Sequence, residues 1–230
     1  MAEKFLVLGG TKEAAELAEQ LVAQHGADAV ISSLAGRTKE PKPVAGHVRI
    51  GGYGGVEGLI DYLQRESITR VIDATHPFAK QISANAKAAC AKAAVPLDIR
   101  TRQPWQRQTG DHWIEVEDLN VAVDTIPSGA RALLALGSQH IAIFAKRHDV
   151  HFTVRLVDAP ENPLPLPQHT TILGIPPVSW RDELAILQSN KITHIICRNS
   201  GGEGAYAKIK AARYLGLPVI IVKRPVTEPA

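Results

Sequence analysis

The sequence predicts an α/β protein built on parallel sheets, and three observations carry that expectation. Short apolar runs recur along the chain. Amphipathic stretches of helical period follow most of them. The junction after each run holds Gly, Asp, Ser or Asn. Strand–helix alternation at this spacing demands parallel strands joined by right-handed crossovers. The 230 residues suffice for one large or two small domains of this kind.

The elements follow in order. Residues 4–8 form the first strand, Gly9-Gly10 its exit, and residues 12–24 a helix. Residues 29–33 are a second strand and 48–50 a short third, after which Gly51-Gly52-Tyr53-Gly54-Gly55 leads into a helix through Glu66. Residues 70–72 are a fourth strand ended by Asp73, followed by an Ala-rich helix over 78–94 and a fifth strand over 95–100. Residues 102–112 are polar, carry Pro104 and Trp105, and read as a connection. The rhythm then restarts at 114–116. A strand over 131–136 ends in Gly137-Ser138 and predicts a helix to about residue 147, then a strand over 152–156. Residues 158–169 hold four prolines and cannot form a regular element. Strands over 170–173, 192–197 and 219–222, with helices over 180–188 and 205–215, complete a second sheet. Two α/β halves result, residues 1–100 and 101–230. The rhythm alone supports the halving, since no sequence repeat does.

Composition narrows the classes. A chain that is 45% hydrophobic and 21% charged is not intrinsically disordered. No apolar run approaches the roughly 20 residues of a membrane span, and residues 5–8 are too short for a signal-peptide core. Cys90 and Cys197 lie far apart in apolar segments, which predicts packed thiols in a reduced, cytoplasmic protein. With 26 basic and 23 acidic residues and 5% aromatics, no basic aromatic platform for nucleic acid stands out. His148 and His151 lack a nearby third ligand, so no metal is expected. Neither a G-x-S-x-G elbow nor a G-x-x-x-x-G-K-[ST] loop is present. Tyr206 and Lys210 match a Y-x-x-x-K spacing, but without the upstream Ser and glycine pattern that give it meaning.

In a doubly wound sheet ligands bind beyond the carboxyl ends of the strands, so the residues after each strand carry the functional reading. Gly9-Gly10-Thr11 allows close backbone approach of a phosphate to a helix N-terminus, although Ala14 and Ala15 break the G-x-G-x-x-G fingerprint; a plain turn is the alternative. After the second strand, Ser32, Ser33 and Arg37 stand where an NADH enzyme carries an acid, which leans toward the 2′-phosphate of NADPH. Four glycines among residues 51–55 cost conformational entropy on folding and point either to a close ligand at Gly51 and Gly52 or to a wide turn. Asp73, Thr75 and His76 stand at the fourth strand's end. His76 and Tyr53 are candidates for a general acid, but orienting a loop is the commoner fate of such a His.

Taken together these motifs resemble the precorrin-6A reductase family, which includes the cobalt-precorrin-6A reductases. The matching residues are Leu8-Gly9-Gly10-Thr11 with Glu13-Ala14, Gly51-Gly52-Tyr53-Gly54, Asp73-Ala74-Thr75-His76-Pro77-Phe78-Ala79, and Arg198-Asn199-Ser200-Gly201-Gly202 with Lys208, Ala211-Ala212-Arg213 and Leu217-Pro218-Val219. Arg102, Trp105, Gly110-Asp111 and Trp113 also look like the family's, and the likeness runs from residue 4 to 225. The D-A-T-H-P-F-A run is its most specific part. The resemblance implies two Rossmann-like domains with the active site in the cleft between them. It also implies reduction of a double bond of the precorrin-6A macrocycle to give precorrin-6B in cobalamin biosynthesis. The cofactor would be NADPH, with NADH as the alternative, held by residues 1–100. The tetrapyrrole, metal-free or cobalt-containing, would lie on residues 101–230. Its carboxylates need donors, for which Arg102, Trp105, Arg198, Asn199, Ser200, Gly201, Lys208 and Arg224 are the candidates. One departure is Ala15, where family members often carry Arg. A nucleotide-binding regulatory protein, or an NADPH-dependent reductase of another small substrate, are the competing readings.

Overall fold

The computed structural model describes residues 3–36 and 43–225, so Arg37 lies outside the described residues. The chain divides into two compact units, Met1–Arg102 and Gln103–Ala230.

The first unit comprises β1 (Phe5–Leu8), α1 (Lys12–His25), β2 (Val30–Leu34), β3 (His47–Ile50), α2 (Val56–Arg65), β4 (Arg70–Asp73), α3 (Lys80–Ala93) and β5 (Leu97–Ile99). Its strands form one parallel sheet in the order β3-β2-β1-β4-β5. The run Phe5-Leu6-Val7-Leu8 is buried throughout because β1 is central and covered on both faces. Phe5 and Val7 pack with Ala14, Ala18 and Leu21 of α1. Leu6 and Leu8 point the other way, onto Leu59 and Leu63 of α2 and Ala86 and Ala89 of α3. The strand order reverses between β1 and β4, the switch point at which such sheets hold ligands.

The second unit comprises β6 (His112–Val116), α4 (Leu119–Thr125), β7 (Arg131–Ala135), β8 (His151–Leu156), β9 (His169–Leu173), α5 (Trp180–Ser189), β10 (His194–Arg198), α6 (Ala207–Leu215) and β11 (Pro218–Val222). Its parallel sheet has the order β6-β11-β10-β7-β8-β9. Counted from β7, this is the first unit's 3-2-1-4-5 order, with β6 added as a sixth strand beyond β11. Its switch point lies between β7 and β10.

Three expectations need correction. The helix predicted after Gly137 is two 3₁₀ stretches, Ser138–His140 and Ala142–Lys146. Its buried apolar residues, Ile141 and Phe144, stand three apart, and no apolar residue continues an α-helical stripe. The Ala-rich helix starts at Lys80, two residues later than expected, because residues 77–79 form a turn closed by Ala79 N–H on His76 C=O at 2.7 Å. The seven-residue α4 was not expected. It is set by its cap, Asp118, whose carboxylate accepts from Asn120 and Val121 N–H at 2.7 and 3.0 Å, a local signal too short for periodicity to reveal.

Candidate functional site

At the switch point of the first unit, Gly9 donates its N–H to Ser33 C=O at 3.0 Å, tying the end of β1 to β2. Gly10 follows with φ of 97°, and a side chain there would meet no atom within 4 Å. Thr11 is the N-cap of α1: its Oγ1 accepts from Ala14 N–H at 3.1 Å and donates to Ala74 C=O at 3.0 Å. Thr11 thus fixes the helix start against the loop after β4. Glu13 stands in the helix's first turn, where a carboxylate would compete with an anion. Arg102 takes both its oxygens, at 3.0 and 2.9 Å. Burial alone would raise the Glu13 pKa; its own backbone amide and Arg102 outweigh that and hold it below the ordinary value. Arg102, expected on the substrate side, is therefore engaged at α1 in the first unit.

After β3, the residues of the Gly51–Gly55 turn leave their backbone open. No atom lies within 4 Å of where a side chain would stand at Gly51, Gly52, Gly54 or Gly55. Arg49, which sequence reasoning missed, organises this turn. Its guanidinium donates to the carbonyls of Gly51 and Gly52 and to Ser33 Oγ, and lies 3.7 Å from the Tyr53 ring centroid. The Tyr53 ring meets Tyr62 edge-on at 5.2 Å, and burial pushes its phenol pKa up. Gly58 of α2 also went unread: a Cβ there would collide with Tyr53 C=O, so the turn lies directly on the helix.

The loop after β4 builds itself from its polar residues. Buried Asp73 accepts from Thr75 N–H at 3.0 Å and Thr75 Oγ1 at 2.6 Å. His76 Nδ1 accepts from Phe78 N–H at 3.2 Å, so a neutral imidazole carries its proton on Nε2. Cys90 and Cys197 are buried free thiols, and burial pushes the Cys90 pKa up to about 11.

In the second unit, the loop after β10 is clamped from two sides. Asn199 accepts from Trp105 N–H at 2.8 Å and donates to Trp105 C=O at 3.0 Å; Trp105 Nε1 donates to Gly202 C=O at 2.6 Å. Arg224 donates to the carbonyls of Asn199 and Ser200 at 2.9 and 2.8 Å. Gly201 has φ of 66° and faces Gln103 C=O and Arg224 so closely that no side chain fits. A cleft of about 260 Å³ lies where Trp105, Asn199, Lys223 and Arg224 converge. Arg198 donates to His140 Nε2 at 3.1 Å, joining the loops after β10 and β7; His140 had no sequence signal. Lys208, expected to extend toward a ligand, is only 7% exposed. Its Nζ donates to Ala205 C=O at 2.6 Å and sits 4.8 Å from the Trp105 ring centroid. Arg213 grips buried Asp111 at 2.8 Å and Tyr206 Oη at 2.7 Å, which gives Tyr206 a packing role.

Residues 4–230 match the family model described as precorrin-6x reductase CbiJ/CobK. The chain belongs to this family. A precorrin-6A reductase of Rhodobacter capsulatus is 50% identical over 223 residues, covering 96% of this chain and 88% of the relative. A precorrin-6A reductase of Rhodococcus erythropolis is 40% identical, covering 99% and 91%. A cobalt-precorrin-6A reductase of Priestia megaterium is 28% identical, covering 97% and 91%. A solved structure, "CobK precorrin-6A reductase", superposes with a TM-score of 0.94 at 48% identity over 99% of this chain and 90% of that one. The precorrin-6x reductases are oxidoreductases, and the two parallel α/β units described above are the fold of that solved relative. Among the described residues, no helix is long and apolar enough to cross a membrane.

Proposed function

We propose that the chain is a cytoplasmic precorrin-6A reductase of cobalamin biosynthesis that uses NADPH to reduce one double bond of the macrocycle and release precorrin-6B. The observation that carries the reading is the 50% identity, along 96% of the chain, with a protein of that name. Relatives named for the metal-free substrate are 40–50% identical and those named for the cobalt form 28–30%, which favours the metal-free macrocycle.

The first unit suits a pyridine nucleotide. Gly10 and the Gly51–Gly55 turn allow close backbone approach, and the α1 N-terminus offers first-turn amides with a positive dipole end. Thr11, Ser33, Gly51 and Gly52 would line its path, with Asp73, Thr75 and His76 holding the loop at the switch point. The reduced nicotinamide, when bound, supplies a hydride to an electron-poor ring carbon. The protein's part is to hold donor and acceptor at about 3–3.5 Å and exclude water. A proton must complete the addition. His76, whose Nε2 bears the proton in the neutral ring, is the first-unit side chain best suited to deliver it. In the second unit, Arg198, His140, Ser200 and Arg224 would meet the carboxylates of the macrocycle, on a loop held in shape by Asn199, Trp105, Gly201 and Lys208.

The test is an anaerobic assay with precorrin-6A and its cobalt form side by side, following loss of the reduced nicotinamide's absorbance. Turnover of precorrin-6A at a higher kcat/KM than the cobalt form is expected. Nucleotide binding without turnover of either would overturn the reading in favour of a regulatory protein.

A further inference from the structure

The side chain that stands out at the nucleotide half is Arg49. It lies on β3, paired in register with Ser33 of β2, at the carboxyl end of the strand that meets the adenosine ribose in dinucleotide-binding sheets. Resting on the reading that the first unit holds the nucleotide, we propose that Arg49, with Ser33, recognises the 2′-phosphate of NADPH and sets the preference for it over NADH.

Four observations converge on it. The guanidinium is fixed in place, by the carbonyls of Gly51 and Gly52, by Ser33 Oγ at 3.4 Å, and by the Tyr53 ring 3.7 Å beneath it. An arginine so held loses little further freedom on meeting an anion. Its charge is not neutralised: among the described residues no carboxylate pairs with it, and its hydrogen-bond partners are two carbonyls and a hydroxyl. Of its five N–H groups these bonds use two on Nη1 and one on Nη2, which leaves Nε–H and the second Nη2–H. Finally, the polar groups around it suit a phosphate. Ser33, paired with Arg49 one residue before the end of β2, stands near where an acid would bind a ribose hydroxyl and repel a phosphate. Tyr53 Oη is buried beside Ser33 and Arg49 without a hydrogen bond of good geometry.

Arg49 also staples the glycine turn, and the test must separate that role from recognition. A staple serves both nucleotides alike; a phosphate-binding group acts only on the one that carries the phosphate. Binding of NADP⁺, NAD⁺, 2′,5′-ADP and 5′-AMP to wild type, Arg49→Gln and Arg49→Lys is measured by calorimetry, with circular dichroism confirming that each variant is folded. In wild type, 2′,5′-ADP binds more tightly than 5′-AMP. Arg49→Gln weakens NADP⁺ and 2′,5′-ADP by about tenfold or more and leaves NAD⁺ and 5′-AMP within about twofold. Arg49→Lys falls between the two. An unchanged ratio of NADP⁺ to NAD⁺ affinity in Arg49→Gln, whether both fall together or neither moves, overturns the proposal. Failure of the underlying reading looks different: Gly10→Val, which leaves Arg49 intact, would then bind NADP⁺ as wild type does.

Discussion

The two units share one strand order and differ in how they leave their first strand. In the first, β1 passes through Gly9-Gly10 straight into α1, a 14-residue helix capped by Thr11. In the second, β7 passes through Gly137 into two 3₁₀ stretches and never makes an α-helix before β8. A helix N-terminus with open glycine backbone is an anion site; a 3₁₀ turn has neither the aligned dipole nor the row of first-turn amides. The same topology thus presents an open glycine backbone before a helix in one unit and, in the other, polar side chains: Arg198 on His140 after β7, and Arg224 on the loop after β10 that Trp105 also holds. The proposed function gives the carboxylates of the tetrapyrrole the second kind of surface and the dinucleotide the first.

The units also differ in their cores, and there the largest effect is expected. In the second unit Arg155 of β8 and Glu183 of α5 form an ion pair at 2.9 Å with side chains 6% and 1% exposed. No ion pair among the described residues of the first unit is buried on both sides to that degree. Removing one partner strands the other charge, so Glu183→Ala should cost about 3–5 kcal/mol in denaturant unfolding. An Arg155→Met, Glu183→Leu double variant should recover most of that loss, because an apolar pair avoids the desolvation of both charges. A double variant as unstable as the single one would show that the pair specifies the packing of α5 on β8.

Next is the clamp that shapes the second unit's loop. Asn199→Ala leaves both the N–H and C=O of Trp105 without partners and should cost about 1–3 kcal/mol. If the loop carries the carboxylate-binding groups, KM for the tetrapyrrole rises while nucleotide affinity holds. A fall in nucleotide affinity instead would overturn the proposed division of labour between the units.

These interactions show what a sequence displays and what it hides. Phe5-Leu6-Val7-Leu8 announced a buried strand because burial on both faces leaves a continuous apolar run. The glycines at 9–10 and 51–55 announced turns, and Gly10, Gly51, Gly54 and Gly55 do take positive φ with open space beside them. Arg49 gave no signal: its partners are the carbonyls of Gly51 and Gly52, and main-chain acceptors have no residue identity. Asn199 and Trp105 are 94 positions apart, and only the fold reveals that one side-chain amide completes the other's backbone. Lys208 read as a donor reaching toward a ligand because its burial beneath Trp105 depends on tertiary packing. Residues 138–146 misled because a 3₁₀ turn and a short α-helix share the three-residue apolar spacing.

A direct comparison of the first-strand exits comes from matched substitutions. Gly10 has φ of 97°, so Gly10→Val introduces backbone strain of about 1–2 kcal/mol and places a branched side chain over the turn. Nucleotide affinity, measured on the folded variant, should drop about tenfold or more, about 1.4 kcal/mol. At Gly137 φ is −68°, a conformation valine accepts, and Gly137→Val should leave nucleotide affinity within about twofold. The reverse pattern would move the cofactor to the second unit.

The smallest effect is expected from the exposed Arg102–Glu13 pair, which contrasts with the Arg213–Asp111 pair of the second unit. Arg213 grips an Asp111 carboxylate that is 1% exposed, whereas Arg102 grips a Glu13 carboxylate that is 41% exposed. Water and salt screen the second pair, so it should contribute about 0–1 kcal/mol, and Glu13→Gln should lower stability by no more than that at neutral pH. The sign of its pH dependence follows from the depressed Glu13 pKa. The folded state holds the carboxylate ionised below the reference value of 4.5. The contribution is therefore complete above that value and is lost as pH falls through the lower folded-state pKa. Urea unfolding of wild type and Glu13→Gln across the acid range should give curves that lie apart at neutral pH and converge on acidification, with the gap shrinking in added salt. Curves that stayed apart in strong acid would show that Glu13 acts through packing of its stem or the start of α1, and that Arg102 is available for another anion.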